Sequence, residues 1–477
     1  MVFRRLLYFI FLSLFGFAHV HGQSRISGYV LDDKKEGVES VVVSCGVHMA
    51  QTTKKGYYEL EVCADEQYVQ ISVPKGYLVK NEGTVPIFFQ KMDVNKKVYN
   101  FHLIENQKDD INHVFFAQTD VQAASEAEYD LYREHIVSDM HATIRQYTSE
   151  DVFGLDLGDI VGDKPDLFPY YLQSMKSLPM PFFRAIGNHD MAYWGRSHET
   201  SERHFNKHFG PTVYSFNKGN THYIVLNNNF FIGREYFYMG YIDEKTFKWL
   251  ERDLSYVSKD QLLFLILHIP TRQGENNSSF TYNYSNIGGQ TVNASALYDV
   301  LSPYNTHILS GHMHCNLNVV HKENLFEHVT AAASGTWWQA DICTDGTPSG
   351  YAVFEVSGNE VEWYYKSAGY DRSHQLRAYY DEETNCVIAN VWNYDPKWKV
   401  EWLENGIDKG SMEQYVGVDP LAKELFSDKR KLKYDWISPS STKHLFRTTA
   451  INADYDIEIR ITDRFGKVYT QSLSKKR

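Results

Sequence analysis

A series of apolar segments, each ending in polar residues, is the feature that most constrains the fold of this chain. The segments HVFFAQTD, DVFGLDLGD, PFFRAIGNHD, LLFLILHIP and THILSGHMH follow one another between residues 113 and 314. Buried parallel strands have such continuous apolar runs. Open α/β sheets bind ligands at the carboxyl ends of their strands. The pattern therefore predicts an α/β domain whose polar strand ends converge on one edge.

The polar strand ends supply a set of potential metal ligands. They contain Asp120, Gln122, Asp159, Asp163, Asn188, His189, Asp190, His268, His312 and His314. Carboxylates, imidazoles and amide oxygens are ligand types for divalent Mn, Fe or Zn. Two metal ions about 3.5–4 Å apart can clamp a phosphoryl group and hold a bridging hydroxide as the nucleophile. The set favours phosphoester hydrolysis over acyl transfer, for which the sequence offers no recognisable activated Ser or Cys.

The motifs TDVQ, GDIVGD, GNHD, the histidine of LHIP, and SGHMH resemble those of the calcineurin-like metallophosphoesterase superfamily, in the same order. The resemblance covers residues 112–345 and implies a central α/β/β/α sandwich with two divalent metal ions. It implies that Asp159 bridges the two ions. The further ligands that it implies are Asp120 and His314 at the first ion, and Asn188, His268 and His312 at the second.

The resemblance also implies a catalytic role for His189, which would protonate the leaving oxygen or stabilise charge on the phosphoryl group. Asp190 is interpreted as structural. Two positions depart from the family pattern. Gln122 occupies the position where many members have histidine. It either binds the metal itself or contacts the ligands without binding the metal. Gly162 replaces a common acid, and Asp163, one position later, is the candidate to orient His189.

Three further residues are candidates for substrate binding. Trp337 and Trp338 would suit stacking on a sugar or base if they are exposed. The alternative is that both belong to the core, since tryptophans are highly buried on average. Arg272 could bind a phosphate oxygen through its planar guanidinium, or it could be a solvated surface residue.

The segments on either side of the central domain have strand-like alternation and turn residues, which is typical of β domains. We expect an N-terminal β-sandwich over residues 23–105, the phosphoesterase domain over 110–347, and an all-β domain over 348–477. The N-terminal module contains no cluster of ligands, so we interpret it as a spacer or interaction module.

Residues 1–22 have the order of a secretory signal: Arg4 and Arg5, an apolar run, and a small-residue stretch. The apolar run is shorter than the roughly 20 residues of a membrane span, so we expect an exported, periplasmic or extracellular protein without a membrane segment after cleavage. A net charge of −12 argues against nucleic-acid binding. The five cysteines permit the pairs Cys45–Cys63 or Cys315–Cys343, or free thiols.

The expected function is hydrolysis of a phosphomonoester or phosphodiester, either a small molecule or a component of the cell envelope. The alternative is a non-catalytic surface protein that binds glycans and uses the central domain as a scaffold. Bound metal would separate the two hypotheses.

Overall fold

The computed structural model describes residues 24–62, 66–192, 195–233, 237–271, 287–452 and 455–473. The expected signal peptide, Cys63 and Arg272 therefore lie outside the described residues. Cys315 and Cys343 lie within them and are free thiols. None of the helices in these ranges has the length and apolar character needed to span a bilayer.

Two β-sheets form the centre of the molecule. In the first, the strands lie in the order Phe182–Arg184, Asp151–Asp156, Asn112–Gln118, Gly350–Ser357 and Glu360–Ser367. In the second, the order is Tyr214–Lys218, Thr221–Val225, Leu262–Ile266, Asn305–Ser310, Leu325–Val329 and Leu317–Lys322. The apolar segments of the sequence form parallel pairs within both sheets.

Neighbouring residues on the central strands face opposite layers. Phe115 belongs to the core between the two sheets, whereas Phe116 packs with the helices that cover the first sheet. Tyr223 and Ile224 divide in the same way on the second sheet. Because side chains alternate along a strand, a strand that is apolar at every position is buried on both faces. The result is the predicted α/β/β/α sandwich.

Helices cover the outer faces of both sheets. The first sheet is covered by Glu126–Tyr132, Ser138–Ile144 and Phe168–Met175, and the second by Glu244–Leu254 and Ala294–Leu301. A π-helical turn, Arg133–Val137, joins the first two. The helix Glu244–Leu254 begins after Asp243, whose side chain accepts a hydrogen bond from the backbone N–H of Thr246 at 2.7 Å. The shorter helices are His198–Ser201, Arg203–Phe209, Pro420–Phe426 and the 3₁₀ turns Pro165–Leu167, Asn188–Asp190 and Lys429–Lys431.

The N-terminal module is a set of small β-sheets packed on the central sandwich. Its strands are Ser24–Leu31, Val42–Cys45, His48–Gln51, Tyr57–Val62, Tyr68–Ile71, Tyr77–Leu78, Asn81–Glu82, Val85–Pro86, Phe89–Lys91, Phe101–His102 and Ile104–Glu105. Phe88 contacts Tyr214 of the second central sheet with ring centroids 4.6 Å apart. Val73 forms a β-bridge with Phe216. The module therefore shares its hydrophobic core with the central domain.

The C-terminal domain contains two four-stranded antiparallel sheets. One has the order Arg377–Asp381, Cys386–Asn390, Ser441–Arg447 and Glu413–Val418, and the other Ile407–Ser411, Lys399–Glu404, Ile457–Thr462 and Val468–Leu473. A separate two-stranded ribbon, Asn229–Phe231 with Tyr238–Gly240, lies in the central domain.

The structure differs from the predicted domain boundary at residue 348. The hairpin Gly350–Ser367, which the sequence analysis assigned to the C-terminal domain, extends the first central sheet, because Gly350–Ser357 pairs antiparallel with Asn112–Gln118. An antiparallel strand at the end of a central sheet has the same alternation as a strand of a β domain, so periodicity could not separate the two.

Candidate metal centre

The polar residues predicted as ligands lie directly after the carboxyl ends of central strands. Asp120 follows the strand Asn112–Gln118, and Asp159 follows Asp151–Asp156. Asn188 follows the strand Phe182–Arg184. His268 follows Leu262–Ile266, and His312 and His314 follow Asn305–Ser310. The two sheets thus contribute to one site.

Asp159 lies at the middle of this site. Its Oδ2 is 3.1 Å from Nε2 of His268. The same His268 nitrogen is 3.1 Å from Oδ1 of Asn188. Potential ligand atoms of Asp159, His268 and His312 all lie within 4.8 Å of one another. One carboxylate, two imidazoles and one amide oxygen therefore point at a common volume.

Asp120 forms the other half of the site. One of its carboxylate oxygens, Oδ2, accepts hydrogen bonds from the His312 backbone N–H at 2.9 Å and the Thr119 hydroxyl at 2.7 Å. The other, Oδ1, is 3.3 Å from Nε2 of His314 and accepts no hydrogen bond although it is buried. Oδ2 therefore fixes the carboxylate, and Oδ1 and His314 face the site.

Gln122 places a further buried oxygen in the same loop. Its Oε1 accepts no hydrogen bond in the described structure. Its backbone N–H donates to the Asp159 carbonyl oxygen at 2.8 Å, which ties the Asp120 and Asp159 loops together. Buried polar atoms are normally hydrogen-bonded, so the orphaned oxygens of Asp120 and Gln122 fit a site for cations.

The orientation of the His268 ring also fits metal binding. Its Nδ1 lies 2.8 Å from the Leu157 carbonyl oxygen, so Nδ1 carries the proton and donates, and Nε2 faces Asp159. A backbone acceptor of this kind commonly orients a metal-bound histidine. Burial alone would lower the pKa of His268, but the Asp159 and Asp120 carboxylates and the Leu157 carbonyl oxygen together outweigh burial and raise it to about 9. Burial lowers the pKa of His312 to about 4. The donor set as a whole matches divalent Mn, Fe or Zn.

His189 has a different environment from the ligand candidates. Its Nδ1 lies 2.5 Å from Oδ1 of Asp163, and its Nε2 lies 4.0 Å from Oδ2 of Asp159. The backbone N–H of His189 donates to Oδ1 of Asp159 at 2.8 Å. Burial opposes protonation, but Asp159 and Asp163 outweigh it and raise the pKa of His189 to about 9. His189 is therefore held beside the metal ligands with one ring nitrogen fixed by Asp163.

Asp190 supports the loops and does not point into the site. It accepts hydrogen bonds from the backbone N–H groups of Ile160, Val161 and Gly187 at 2.8, 3.0 and 2.9 Å. These bonds hold the Asp159 and Asn188 turns against each other. This arrangement agrees with the structural interpretation of Asp190.

The backbone of the site adopts an unfavourable conformation at several non-glycine residues. Positive φ angles occur at Asp120 (51°), Gln122 (40°), Asp159 (54°), Asp163 (63°), His312 (70°) and His314 (47°). Each costs on the order of 1–3 kcal/mol and persists only where the surrounding structure enforces it. Such strain is concentrated at functional sites, and here it coincides with the predicted residues.

Trp337 and Trp338 both lie beside the site and are half-buried. The Trp337 ring stacks on His314 with centroids 4.1 Å apart and an angle of 18° between the planes. The Trp338 N–H donates to the Val121 carbonyl oxygen at 2.7 Å, and its ring packs against Tyr132. Trp338 therefore stabilises the Asp120 loop through its hydrogen bond to Val121, whereas Trp337 stacks on His314, a ligand candidate.

Sequence reasoning missed three residues at the site. Asn228 positions the His268 loop, because its Oδ1 accepts from the backbone N–H groups of His268 and Ile269 at 3.3 and 3.2 Å. The Tyr238 ring contacts His312 with centroids 6.1 Å apart. Trp436 of the C-terminal domain contacts Trp337. The NNN run at 227–229 after an apolar strand was a usable signal for Asn228, whereas no local pattern points to Trp436.

Two family models match the chain and agree with this architecture. The C terminal of calcineurin-like phosphoesterase matches residues 327–469, and the N terminal of calcineurin-like phosphoesterase matches residues 24–106. The two models cover the flanking parts of the chain, which carries the N- and C-terminal domains of the calcineurin-like phosphoesterase family. The central sandwich and its strand-end site agree with that family. The predicted family and fold class are confirmed.

Solved structures of similar shape include three phosphatases or nucleotidases. They are a dimetal phosphatase from Danio rerio (13% identity, 54% of this chain and 96% of that chain, TM-score 0.40), the purple acid phosphatase PPD1 from yellow lupin, Lupinus luteus (12%, 69% and 68%, 0.38), and a 5′-nucleotidase from Candida albicans (13%, 55% and 52%, 0.35). The search of curated proteins returns no match.

Proposed function

We propose that this protein is a two-metal phosphoesterase that hydrolyses a phosphomonoester or phosphodiester, and that it acts outside the cytoplasm. The observation that carries the proposal is the cluster of ligand atoms from Asp159, His268 and His312, which lie within 4.8 Å of one another, with the His189–Asp163 pair directly beside them. A purely structural cluster would pair its buried polar atoms, whereas within the described residues Oε1 of Gln122 accepts no hydrogen bond and Oδ1 of Asp120 has only its 3.3 Å contact with Nε2 of His314.

Each residue has a proposed role in binding. Asp159 contributes to both metal positions. The first position also takes Asp120, His314 and, in this proposal, Gln122, and the second takes Asn188, His268 and His312. Two divalent ions at these positions would neutralise the charge of the phosphoryl oxygens and activate a water molecule.

His189 is the proposed proton donor. In the reaction, water adds to phosphorus, the bond between phosphorus and the ester oxygen breaks, and the departing alcohol needs a proton. Nδ1 of His189 is held by Asp163, and Nε2, which lies 4.0 Å from Oδ2 of Asp159, faces the metal ligands and is the proposed donor to the leaving oxygen. General acid catalysis of this kind contributes about 10²–10⁴ in rate.

Export is proposed from the N-terminal sequence alone, where two arginines precede an apolar run. Expression of the full chain in a bacterial host, followed by fractionation and N-terminal sequencing of the product, tests it. Release outside the cytoplasm with a shortened N-terminus supports export. A full-length product retained in the cytoplasm contradicts it.

A substrate screen tests the activity. Purified protein is dialysed against Mn²⁺, Fe²⁺ or Zn²⁺ and assayed with phosphomonoesters, phosphodiesters and nucleotide sugars. We expect metal-dependent hydrolysis that stops when a chelator removes the ions. Bound metal without hydrolysis of any ester class would contradict the proposal, and absence of metal binding would favour the glycan-binding alternative.

A further inference from the structure

A segment of the C-terminal domain, residues 428–438, docks onto the helix Glu126–Tyr132 and the loop 336–342 of the central domain. The Lys433 backbone N–H donates to Oε1 of Gln339 at 2.7 Å, and the Lys433 ammonium pairs with Glu128. Ile437 packs in one apolar cluster with Ile342. This docking segment is therefore fixed against the central domain close to the candidate centre.

A row of aromatic rings connects the docking segment with the candidate centre. His314 stacks on Trp337 at 4.1 Å, and Trp337 contacts Trp436 edge to face at 4.4 Å. Tyr434 stacks on Trp436 at 5.4 Å with an angle of 20° between the planes. Trp436 is thus two ring contacts away from a proposed metal ligand, although the two residues are more than a hundred positions apart in sequence.

Trp436 is unusually exposed for an indole in such a position. The relative solvent exposure of Trp436 is 57%, although the ring contacts both Trp337 and Tyr434. Leaving a large apolar ring in water forgoes the stabilisation of burial. The two aromatic neighbours limit the positions that the indole can adopt. A rigid, open aromatic surface beside a reactive centre is suited to stacking on a ligand ring.

The docking segment also differs in charge from the rest of the chain. It contains four cationic side chains, Lys429, Arg430, Lys431 and Lys433, within a protein of net charge −12. Asp428 pairs with Arg430, Glu128 of the central domain pairs with Lys433, and Asp435 adds a further negative charge. The remaining excess of positive charge is small and favours an anionic ligand only weakly.

From these contacts we propose that Trp436, with Trp337 behind it, binds a ring in the organic part of the substrate. The substrate class is a phosphate ester of a sugar or a nucleoside, whose ring stacks on the indole while the phosphoryl group lies at the metal ligands. The proposal rests on the proposed phosphoesterase function and deepens it. Trp436 is a specificity residue and takes no part in the bond-breaking step.

The test compares esters with and without a ring. The substrates are adenosine 5′-monophosphate, glucose 1-phosphate and glycerol 3-phosphate, assayed by phosphate release with metal-loaded protein. The variants are Trp436→Ala, Trp436→Phe and, as a control, Tyr455→Ala, which removes another exposed aromatic side chain of the same domain. Metal content and melting temperature verify that each variant is folded and loaded.

We expect Trp436→Ala to lower kcat/KM by about tenfold for at least one ring-bearing ester, mainly through KM, because stacking on an aromatic side chain contributes at this level. Glycerol 3-phosphate should change little, and Trp436→Phe should recover most of the loss. An effect confined to adenosine 5′-monophosphate identifies a nucleoside, and one confined to glucose 1-phosphate identifies a sugar. Equal effects on all three esters, or no effect on either ring-bearing ester, would overturn the proposal.

A binding measurement separates failure of this inference from failure of the proposed function. The phosphonate analogue of each ester, which cannot be hydrolysed, is titrated into metal-loaded protein by calorimetry. Weaker binding of a ring-bearing analogue to Trp436→Ala than to Tyr455→Ala supports the ring site even if no ester is hydrolysed. Identical affinities in the two variants contradict it even if hydrolysis is observed.

Discussion

His189 and Asn188 are neighbours in the chain, yet the structure gives them different environments. Oδ1 of Asn188 lies against Nε2 of His268 among the ligand atoms, whereas the His189 ring turns toward Asp163. Successive side chains of a 3₁₀ turn point about 120° apart, so the turn Asn188–Asp190 separates the two. At the scale of single residues, one short motif can therefore supply both a ligand and a proton donor.

The proton-donor role of His189 predicts a dependence on the leaving group. His189→Ala should keep both metal ions and slow hydrolysis of an alkyl phosphate by about 10²–10⁴, since a basic alkoxide needs the proton. Hydrolysis of a nitrophenyl phosphate should slow far less, because that phenolate leaves unaided. Steady-state kinetics on both esters provide the measurement. Equal slowing of both with intact metal content would instead assign His189 to stabilising the phosphoryl group.

Gln122 offers a second test at this scale. If its buried Oε1 is a ligand, Gln122→Ala should weaken metal binding at the first position by about tenfold or more. Gln122→His should keep or tighten binding, because imidazole is the stronger donor for these ions. Metal titration followed by calorimetry distinguishes the variants. Unchanged affinity in Gln122→Ala would place Gln122 outside the coordination sphere.

At the scale of elements, the site depends on close approach between strand-end loops. A Cβ added to Gly187 would lie 2.1 Å from both the backbone nitrogen and Oδ1 of Asp159. A Cβ on Gly311 would lie 1.8 Å from the Thr119 hydroxyl and 2.8 Å from Oδ2 of Asp120. Glycine at 187 lets two loops of the first sheet meet, and glycine at 311 lets a loop of the second sheet meet one of the first, without displacing the carboxylates.

Gly187→Ala should therefore displace Asp159 and cost most of the metal affinity and activity. The obstructing atoms include backbone, which cannot rotate away as a flexible side chain would. A suitable control is Gly466→Ala, which lies in a turn with φ +83° and no neighbouring atom within 4 Å. The control should lose about 1–2 kcal/mol of stability, because a Cβ is disfavoured at positive φ, and keep its metal. Normal metal content in Gly187→Ala would show that the loops can separate without loss of the site.

The sequence allowed prediction of the strand-end residues but not of contacts between distant segments. Asp120, Asp159 and His268 were predicted because an apolar run followed by a polar residue is a local signal. The pairing of His189 with Asp163 was predicted from the family resemblance and is present. The contact of Trp436 with Trp337 depends on how two domains dock, and it has no local signal. The hairpin Gly350–Ser367 was assigned to the next domain for a similar reason. Alternation of apolar and polar residues predicts a strand, but it does not show which sheet that strand joins.

At the scale of the whole molecule, the N-terminal module is part of the folded core. Phe88 packs on Tyr214, the Gln70 amide donates to the Val213 carbonyl oxygen at 2.9 Å, and Ser215 bonds Ser72 at 3.0 Å. A module that served only as a spacer would have few such contacts. The N-terminal module and the central domain therefore form one structural unit.

Removal of residues 24–106 should destabilise the remainder strongly. Several apolar side chains of the central sheets would become exposed, at about 1.5–3 kcal/mol each, against a typical total stability of about 5–15 kcal/mol. We expect the truncated protein to aggregate or to melt at a much lower temperature than the intact chain. Thermal unfolding of both proteins gives the comparison, and equal melting temperatures would contradict the shared core.

The central claim is that Asp159 joins two metal ions in a hydrolytic site, and Asp159→Asn tests it most directly. Metal content is measured by inductively coupled plasma mass spectrometry, and phosphate release is assayed on the same samples, with the far-ultraviolet circular dichroism spectrum as the control for folding. We predict about two divalent ions per chain in the unaltered protein, and a joint loss of metal and activity in a folded Asp159→Asn variant. A folded variant that keeps both ions and hydrolyses substrate at the normal rate would contradict the account.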